Sequence, residues 1–138
     1  MPAEPLVDVP KLQALLDEVV APWVADLRLQ VQQGEVVLAL PVTSRHVHGG
    51  GVLCGQTMMA AADTAMVLAV ISQLGEFRPM TTVQLQTSFL RPIPGNAGNA
   101  RVVARVLRMG RKLVFGEIEI LDPRGELAAH ATTSYALL

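Results

Sequence analysis

The strongest constraint on the fold of this chain is an apolar segment that runs from Val52 to Leu74. Drawn as a helix it is apolar on nearly all sides, and a helix of this kind must be wrapped by other parts of the protein. We predict the helix over residues 55–73, with Gly75 as the residue that ends it. Because the segment contains polar residues and lacks anchoring flanks, we interpret it as a buried helix and not as a membrane span.

The rest of the chain has the signals of one further helix and six strands. Asp8 can cap the first helix, Pro10 lies in its first turn and Pro22 ends it. Alternation of apolar and polar residues, with turn residues between the runs, indicates the strands. Their predicted positions are roughly residues 24–30, 35–40, 81–91, 101–107, 113–121 and 126–137.

This order of elements predicts an α+β fold. A sheet cannot leave its apolar face bare, so the long helix should lie across it. One antiparallel sheet that wraps around a central helix buries the apolar surfaces of both. We expect a single domain over residues 1–138, with the first helix within residues 1–22. The free edges of such a sheet are expected to pair with a second copy of the chain.

Composition excludes several classes of function. The net charge is −1 and no run of Lys or Arg is present, so we expect no nucleic-acid binding. One cysteine, Cys54, rules out an intramolecular disulfide and a cysteine-rich metal site. The first residues lack the basic and apolar regions of a signal peptide, and we therefore expect a cytoplasmic protein that does not associate with membranes.

Asp63 breaks the pattern of the long helix. It is the only acidic residue between Glu35 and Glu76. A carboxylate among apolar side chains loses hydration unless something hydrogen-bonds it, and such local violations concentrate at functional sites. A desolvated carboxylate beside a carbonyl can act as a general base or as a nucleophile. The structural alternative is an aspartate that is merely bonded to the backbone or to a threonine.

Gly55 is the second candidate, at the amino end of the helix and behind the glycine run 49–51. Unpaired N–H groups at a helix amino end can stabilise an oxyanion, and glycine permits close approach, although these glycines would also suit a plain turn. Gly55 and Asp63 lie about 12 Å apart along the helix. Either they serve different sites, or Gly55 of one subunit meets Asp63 of another across a two-fold interface.

The histidines do not suggest a metal centre, because His46 and His48 have no third ligand nearby in the sequence. His48 could hydrogen-bond at the entrance of a site, or both could be plain loop residues. Cys54 is best interpreted as a small buried thiol. A phosphate-bearing ligand could use basic side chains from two regions, although a solvated charged turn is the simpler interpretation of any single one of them. These basic residues are Arg91, Arg108, Arg111 and Lys112.

The run from Gly50 to Ala65 resembles the central-helix signature of hot-dog thioesterases of the phenylacetate-degradation type. Residues 87–92 and 110–112 are also similar to that family, and the resemblance covers roughly residues 35–138.

In the matching register, Gly55 takes the position of the oxyanion glycine and Asp63 that of the catalytic carboxylate. Two positions depart from the family pattern. Cys54 stands where the family has a histidine, and His48 stands where it commonly has Asn or Gln near the substrate carbonyl.

The resemblance implies a hot-dog acyl-CoA thioesterase that needs no metal and no organic cofactor. It implies a homodimer, often paired into a dimer of dimers, with sites between subunits. The Gly55 N–H would polarise the thioester carbonyl with help from His48, and Asp63 of the partner would activate water or attack directly. Thr64, or a hydroxyl on strand 81–91, would orient the water or the carboxylate. Gln56 and the four basic residues named above are the candidates for binding CoA.

Two other functions remain open at this point. A hot-dog dehydratase or hydratase would act on acyl thioesters with a histidine and an acid, and His48 could supply the histidine. A non-catalytic module would bind acyl-CoA without turnover.

Overall fold

The computed structural model of the protein describes residues 7–19 and 28–138. They form two α-helices and one six-stranded sheet in the predicted order along the chain. The helices are α1 (Val9–Val19) and α2 (Gly55–Leu74), and the strands are β1 (Arg28–Gln32), β2 (Glu35–Pro41), β3 (Met80–Phe89), β4 (Asn99–Met109), β5 (Leu113–Leu121) and β6 (Leu127–Leu137).

The sheet is antiparallel throughout, with the spatial order β1-β2-β4-β5-β6-β3. α2 packs against it, and the side chains between them form the core. The predicted hot-dog arrangement, an antiparallel sheet around a long central helix, is confirmed.

α2 is buried along most of its length. Twelve of its 20 residues are buried, among them Met66 and Ile71. Gly75 ends the helix as predicted: its φ is 84° and its N–H donates to the Ile71 carbonyl at 2.9 Å, a left-handed cap that glycine adopts without strain. By length and composition α2 could cross a membrane, but its place inside the sheet confirms the interpretation as a core helix.

α1 begins where the sequence predicts. The Asp8 carboxylate accepts a hydrogen bond from the Lys11 N–H at 3.0 Å, which is a helix N-cap, and Leu12 is fully buried. The predicted end of this helix at Pro22 and the predicted beginning of the first strand at residue 24 lie outside the described residues.

β5 alternates as predicted. Val114, Ile118 and Ile120 are buried, whereas Glu117 and Glu119 lie on the outer face of the sheet. On that face the Arg105 guanidinium of β4 donates to the carboxylates of Glu119 and Glu35. The outer face is therefore polar, which leaves the inner face to hold the helix.

The alternation predicted for residues 81–91 is partly wrong. The period-two pattern predicts Val83 on the same face as Leu85, and Thr82 on the opposite face. A β-bulge between Thr82 and Gln84 reverses this, because an extra residue in one strand changes which face the following residues occupy. Thr82 consequently lies opposite the buried Tyr135, and Val83 is 60% exposed.

Gly116 of β5 marks a close approach of the sheet to α2. A Cβ at this position would lie 2.3 Å from Met66 Cε and 2.6 Å from the backbone oxygen of Arg105. We expect Gly116→Ala to lower the free energy of unfolding by about 1–3 kcal/mol, because the backbone oxygen cannot move aside as a flexible side chain can. Urea or thermal denaturation measures the change.

Gly49→Ala is the matched control for this prediction. A Cβ at Gly49 has no neighbour within 4 Å, so this variant should unfold within about 0.5 kcal/mol of the wild type. Equal stability of the two variants would show that the sheet and α2 are not in tight contact at Gly116.

Candidate active site

Asp63 lies in the middle of α2 and is half-buried. Its carboxylate oxygen Oδ1 accepts hydrogen bonds from the Thr82 hydroxyl at 3.1 Å and from the Tyr135 hydroxyl. Hydrogen bonds to a charged group stabilise by about 1.5–3 kcal/mol each, which offsets much of the hydration that a half-buried carboxylate loses. The structure thus satisfies the one acid of this helix with two hydroxyl groups.

The two hydroxyl groups come from neighbouring strands. Thr82 of β3 and Tyr135 of β6 are directly opposite each other in the antiparallel pair, and the bulge after Thr82 turns its side chain toward the helix. The Tyr135 hydroxyl also lies 3.0 Å from the backbone oxygen of Asp63. Burial and, after it, the Asp63 charge raise the pKa of the Tyr135 hydroxyl far above its usual range, so Tyr135 stays protonated and acts as a donor.

Gly55 is the first residue of α2, after the N-cap residue Cys54. The first backbone bond of the helix runs from the Met58 N–H to the Cys54 carbonyl at 3.1 Å, and Cys54 provides no side-chain cap. The Gly55 N–H therefore has no helical acceptor, as is usual at a helix amino end. A Cβ at Gly55 would lie 3.3 Å from the Phe89 ring, so glycine leaves room for this ring beside the helix end.

A shallow depression of about 320 Å³ lies in front of this helix end. It is mostly apolar, and its wall comes from the segment before α2, the beginning of α2 and the end of β3. Its lining residues are Val52, Leu53, Gly55, Met58, Phe89, Leu90, Arg91 and Pro92.

The two loop histidines have different environments. His46 is fully buried, and its Nδ1 lies 2.8 Å from the Pro41 carbonyl, while its own carbonyl accepts from the Cys54 N–H at 2.8 Å. His46 therefore holds the loop that leads into α2. His48 is exposed, and its Nδ1 accepts from the Gly50 N–H at 2.8 Å. In the neutral ring this bond places the proton on Nε2, which leaves a donor available for a ligand.

The predicted site residues fall into two groups within one chain. Gln56 is exposed beside Gly55, and Arg91, which pairs with Glu126, follows β3 at the same end of the sheet. The hairpin between β4 and β5 lies at the other end, where Leu113 pairs with Ala136 close to the Thr82 end of β3. This hairpin carries the exposed residues Arg108, Arg111 and Lys112.

Thr64 is buried in α2 next to Asp63. A threonine hydroxyl does donate to the Asp63 carboxylate, but it belongs to Thr82. Thr82 lies on strand 81–91, which the sequence offered as the alternative to Thr64.

The sequence analysis did not identify Tyr135 as a partner of Asp63. The available signal was that Tyr135 is the only tyrosine of the chain and stands at an inward position of the last strand. A buried tyrosine usually places its hydroxyl on an acceptor. Among the residues that the structure describes, no group of three or more His, Cys, Asp or Glu side chains converges as metal ligands would.

Comparison with known proteins agrees with this fold. Residues 46–129 match the Thioesterase superfamily. A protein of Saccharolobus solfataricus, provisionally named an esterase, is 30% identical over 110 residues, which cover 80% of this chain and 76% of that protein. A thioesterase of Haemophilus influenzae has a TM-score of 0.86 at 19% identity, covering 100% of this chain and 95% of its own.

A hypothetical thioesterase of Streptococcus pneumoniae, solved with coenzyme A, has a TM-score of 0.74 at 18% identity and covers 81% of this chain and 85% of its own. These two structures share the fold of this chain. The family match spans more than half of the sequence. The chain therefore belongs to the Thioesterase superfamily, a membership that supports thioester hydrolysis as its general activity.

Proposed function

We propose that this protein is an acyl-CoA thioesterase whose active site forms between two copies of the chain, with Gly55 from one and Asp63 from the other. The observation that carries the proposal is that a single edge strand contacts both groups. β3 touches Asp63 through Thr82 and touches Gly55 through Phe89. Within one chain, the backbone positions of Thr82 and Phe89 are seven residues apart, about 23 Å along the strand, and Gly55 and Asp63 are about 12 Å apart along α2.

Antiparallel pairing of two β3 strands would bring the two groups together. Among the described residues β3 pairs with β6 on one side only, so its other edge can accept a partner strand. A two-fold axis midway between positions 82 and 89 would set Phe89 opposite Thr82 of the partner subunit, and hence Gly55 near the partner's Asp63. Exposed apolar side chains at this strand support its coverage by a partner: Val83 is 60% exposed, Phe89 49% and Leu90 59%.

The same pairing would also join the two groups of basic residues. Arg91 follows the Phe89 end of β3, and the β4–β5 hairpin with Arg108, Arg111 and Lys112 lies near the Thr82 end. Across the two-fold axis these ends become neighbours. Four cations and Gln56 would then surround one site, which suits the phosphates of a CoA nucleotide. The coenzyme A in the Streptococcus pneumoniae structure supports a ligand of this class.

In this proposal the carbonyl oxygen of the thioester accepts a hydrogen bond from the Gly55 N–H, and the His48 Nε2–H assists. Negative charge that develops on this oxygen is stabilised by the donors and by the positive end of α2. The partner's Asp63 either takes a proton from the attacking water or attacks the carbonyl carbon itself, with water releasing the acid afterwards. Both routes break the carbon–sulfur bond and yield a free acid and the CoA thiol.

Three further features belong to the proposal. The chemistry uses side chains and backbone groups alone, without a metal or an organic cofactor. The dimer is the catalytic unit, and two dimers can associate through other surfaces. The enzyme acts in the cytoplasm, where acyl-CoA substrates are formed. The finer assignment to the phenylacetate-degradation type remains a prediction.

The first test removes the charge of Asp63. We expect Asp63→Asn to reduce kcat/KM for acyl-CoA hydrolysis by about 10²–10⁴-fold, because the amide cannot accept a proton from water. A thiol-release assay over short, medium, long and aryl acyl-CoAs measures the rate. Glu76→Gln, an exposed acid beyond the end of α2, is the matched control and should retain the wild-type rate.

The same assay decides between functions. Wild-type turnover by a folded Asp63→Asn variant would exclude the proposed mechanism. Absorbance changes from a carbon–carbon double bond, without thiol release, would indicate a dehydratase or hydratase. Binding of acyl-CoA without any turnover by the wild type would indicate a binding module.

The second test removes the Gly55 N–H without removing the helix. Proline is well tolerated at the first helical position, and Cys54 already has the extended conformation (φ −65°, ψ 141°) that a residue before proline prefers. We expect Gly55→Pro to lower kcat by about 10²–10³-fold relative to Gly55→Ala. Both variants add a Cβ beside Phe89, but only the alanine variant keeps the N–H. Equal rates for the two variants would exclude the N–H from the oxyanion site.

The third test asks whether the Gly55 and the Asp63 of one site come from different subunits. Co-expression of Gly55→Pro and Asp63→Asn chains should restore about one quarter of the wild-type rate, because half of the dimers are mixed and each mixed dimer has one intact site of two. Native mass spectrometry counts the mixed dimers. If mixed dimers form and no activity returns, then Gly55 and Asp63 do not serve the same site across the interface.

A further inference from the structure

We propose that Tyr135 is a positioning residue that acts with Thr82 to hold one oxygen of the Asp63 carboxylate, so that the other oxygen, Oδ2, is the one that reacts. This inference rests on the proposed function of Asp63. It assigns a role to a residue of the last strand, β6. The proposed function as argued above uses only residues at the beginning of α2, in its middle and on β3.

The hydrogen bonds on the carboxylate are unevenly distributed. Oδ1 accepts from both Thr82 and Tyr135, whereas Oδ2 has no hydrogen-bond partner within the described part of the chain. A carboxylate oxygen can accept about two strong hydrogen bonds. Oδ1 is therefore saturated, and Oδ2 keeps its lone pairs for a proton or for a carbonyl carbon.

Tyr135 also fixes the direction of the carboxylate. Its hydroxyl reaches Oδ1 and lies 3.0 Å from the backbone oxygen of the same aspartate. A donor that bridges a side chain and its own backbone restricts the side-chain torsions between them. Tyr135 itself is only 1% exposed, so its ring cannot move without disturbing the core. The hydrogen bond from this fixed ring therefore restricts the Asp63 side chain as well.

The two donors differ in how firmly the sheet holds them. Thr82 belongs to the edge strand β3 and is exposed in the single chain. Any movement of β3 therefore moves its hydroxyl. Tyr135 belongs to β6, which has neighbours on both sides. The carboxylate is thus tied to the rigid interior of the sheet on one side and to the proposed subunit interface on the other.

The Tyr135 hydroxyl acts on Asp63 only as a hydrogen-bond donor. Burial raises the pKa of the Tyr135 hydroxyl far above its usual range, so the hydroxyl stays protonated and always donates to the carboxylate. From the strands that pack against this part of α2, Thr82 and Tyr135 reach the carboxylate, and Tyr135 is the only titratable one of the two. Removal of its hydroxyl should therefore leave Thr82 as the one remaining donor to Oδ1 within the described part of the chain.

Tyr135→Phe tests the proposal because it keeps the buried ring. We expect kcat for acyl-CoA hydrolysis to fall roughly 5- to 50-fold with KM changed less than about twofold, since the lost interaction orients a catalytic group and does not bind substrate. Ser134→Ala removes the neighbouring hydroxyl on the opposite face of β6 and should leave both quantities unchanged.

A double-mutant cycle separates positioning from packing. In an Asp63→Asn background Tyr135→Phe should cause no further loss of the residual rate, because its effect acts through the carboxylate. An equal fold-loss in both backgrounds, or a wild-type rate in Tyr135→Phe alone, would overturn the proposal. Full activity of Asp63→Asn would instead overturn the proposed function itself.

A second pair of variants covers the case in which Tyr135→Phe does not fold. Thr82→Val removes the other donor from an exposed strand, and Thr82→Ser retains a hydroxyl. We expect Thr82→Val to lower kcat by roughly 2- to 20-fold and Thr82→Ser to recover most of the loss. Identical rates for Thr82→Val and the wild type would contradict the assignment of Oδ1 as the held oxygen.

Discussion

Burial of α2 is the constraint on which the rest of this structure depends. A helix that is apolar on nearly all sides must be covered on most of them, and each large apolar side chain removed from water contributes about 1.5–3 kcal/mol. One sheet can achieve this only by curving around the helix, and a curved open sheet has two edges. At one of these edges, β3, the side chains are mostly exposed, whereas those of the central strands β4 and β5 alternate into the core. Both candidate catalytic groups, Gly55 and Asp63, contact this strand.

The position of Asp63 follows from a balance of two free energies. A half-buried carboxylate loses part of its hydration, at a cost of several kcal/mol if nothing replaces the water. Two hydroxyl donors recover about 3–6 kcal/mol, so the charged form can persist inside the fold. Both donors are neutral hydroxyl groups and not lysine or arginine side chains. Neutral hydroxyl donors satisfy the group and leave it able to accept a proton.

Sequence patterns predicted the parts of the fold that depend on local and apolar signals. The helix bounds at Gly55 and Gly75, the Asp8 cap and the alternation of β5 depend on capping and periodicity, which are visible in a single sequence. The bulge at Val83 was not predictable, because it depends on how β3 pairs with β6. The Tyr135 contact was missed for a related reason, since it joins positions 72 residues apart. Asp63 was identifiable because it violates a local rule, whereas its partners violate none.

An edge strand that positions both halves of a site couples assembly to catalysis. The isolated chain holds Gly55 and Asp63 at opposite ends of β3, so neither end alone contains a donor and a base. Pairing of two edges removes a surface that is prone to aggregation, and the antiparallel two-fold geometry makes each new contact occur twice. In the proposed dimer, the energy that stabilises the pairing would therefore also fix the distance between Gly55 and the partner's Asp63. In the proposed dimer the Asp63 carboxylate would be rigid before substrate arrives, because Tyr135 holds it from the interior and the partner strand would form the opposite wall. Preorganisation of this kind spares the reaction the cost of orienting the base in each turnover.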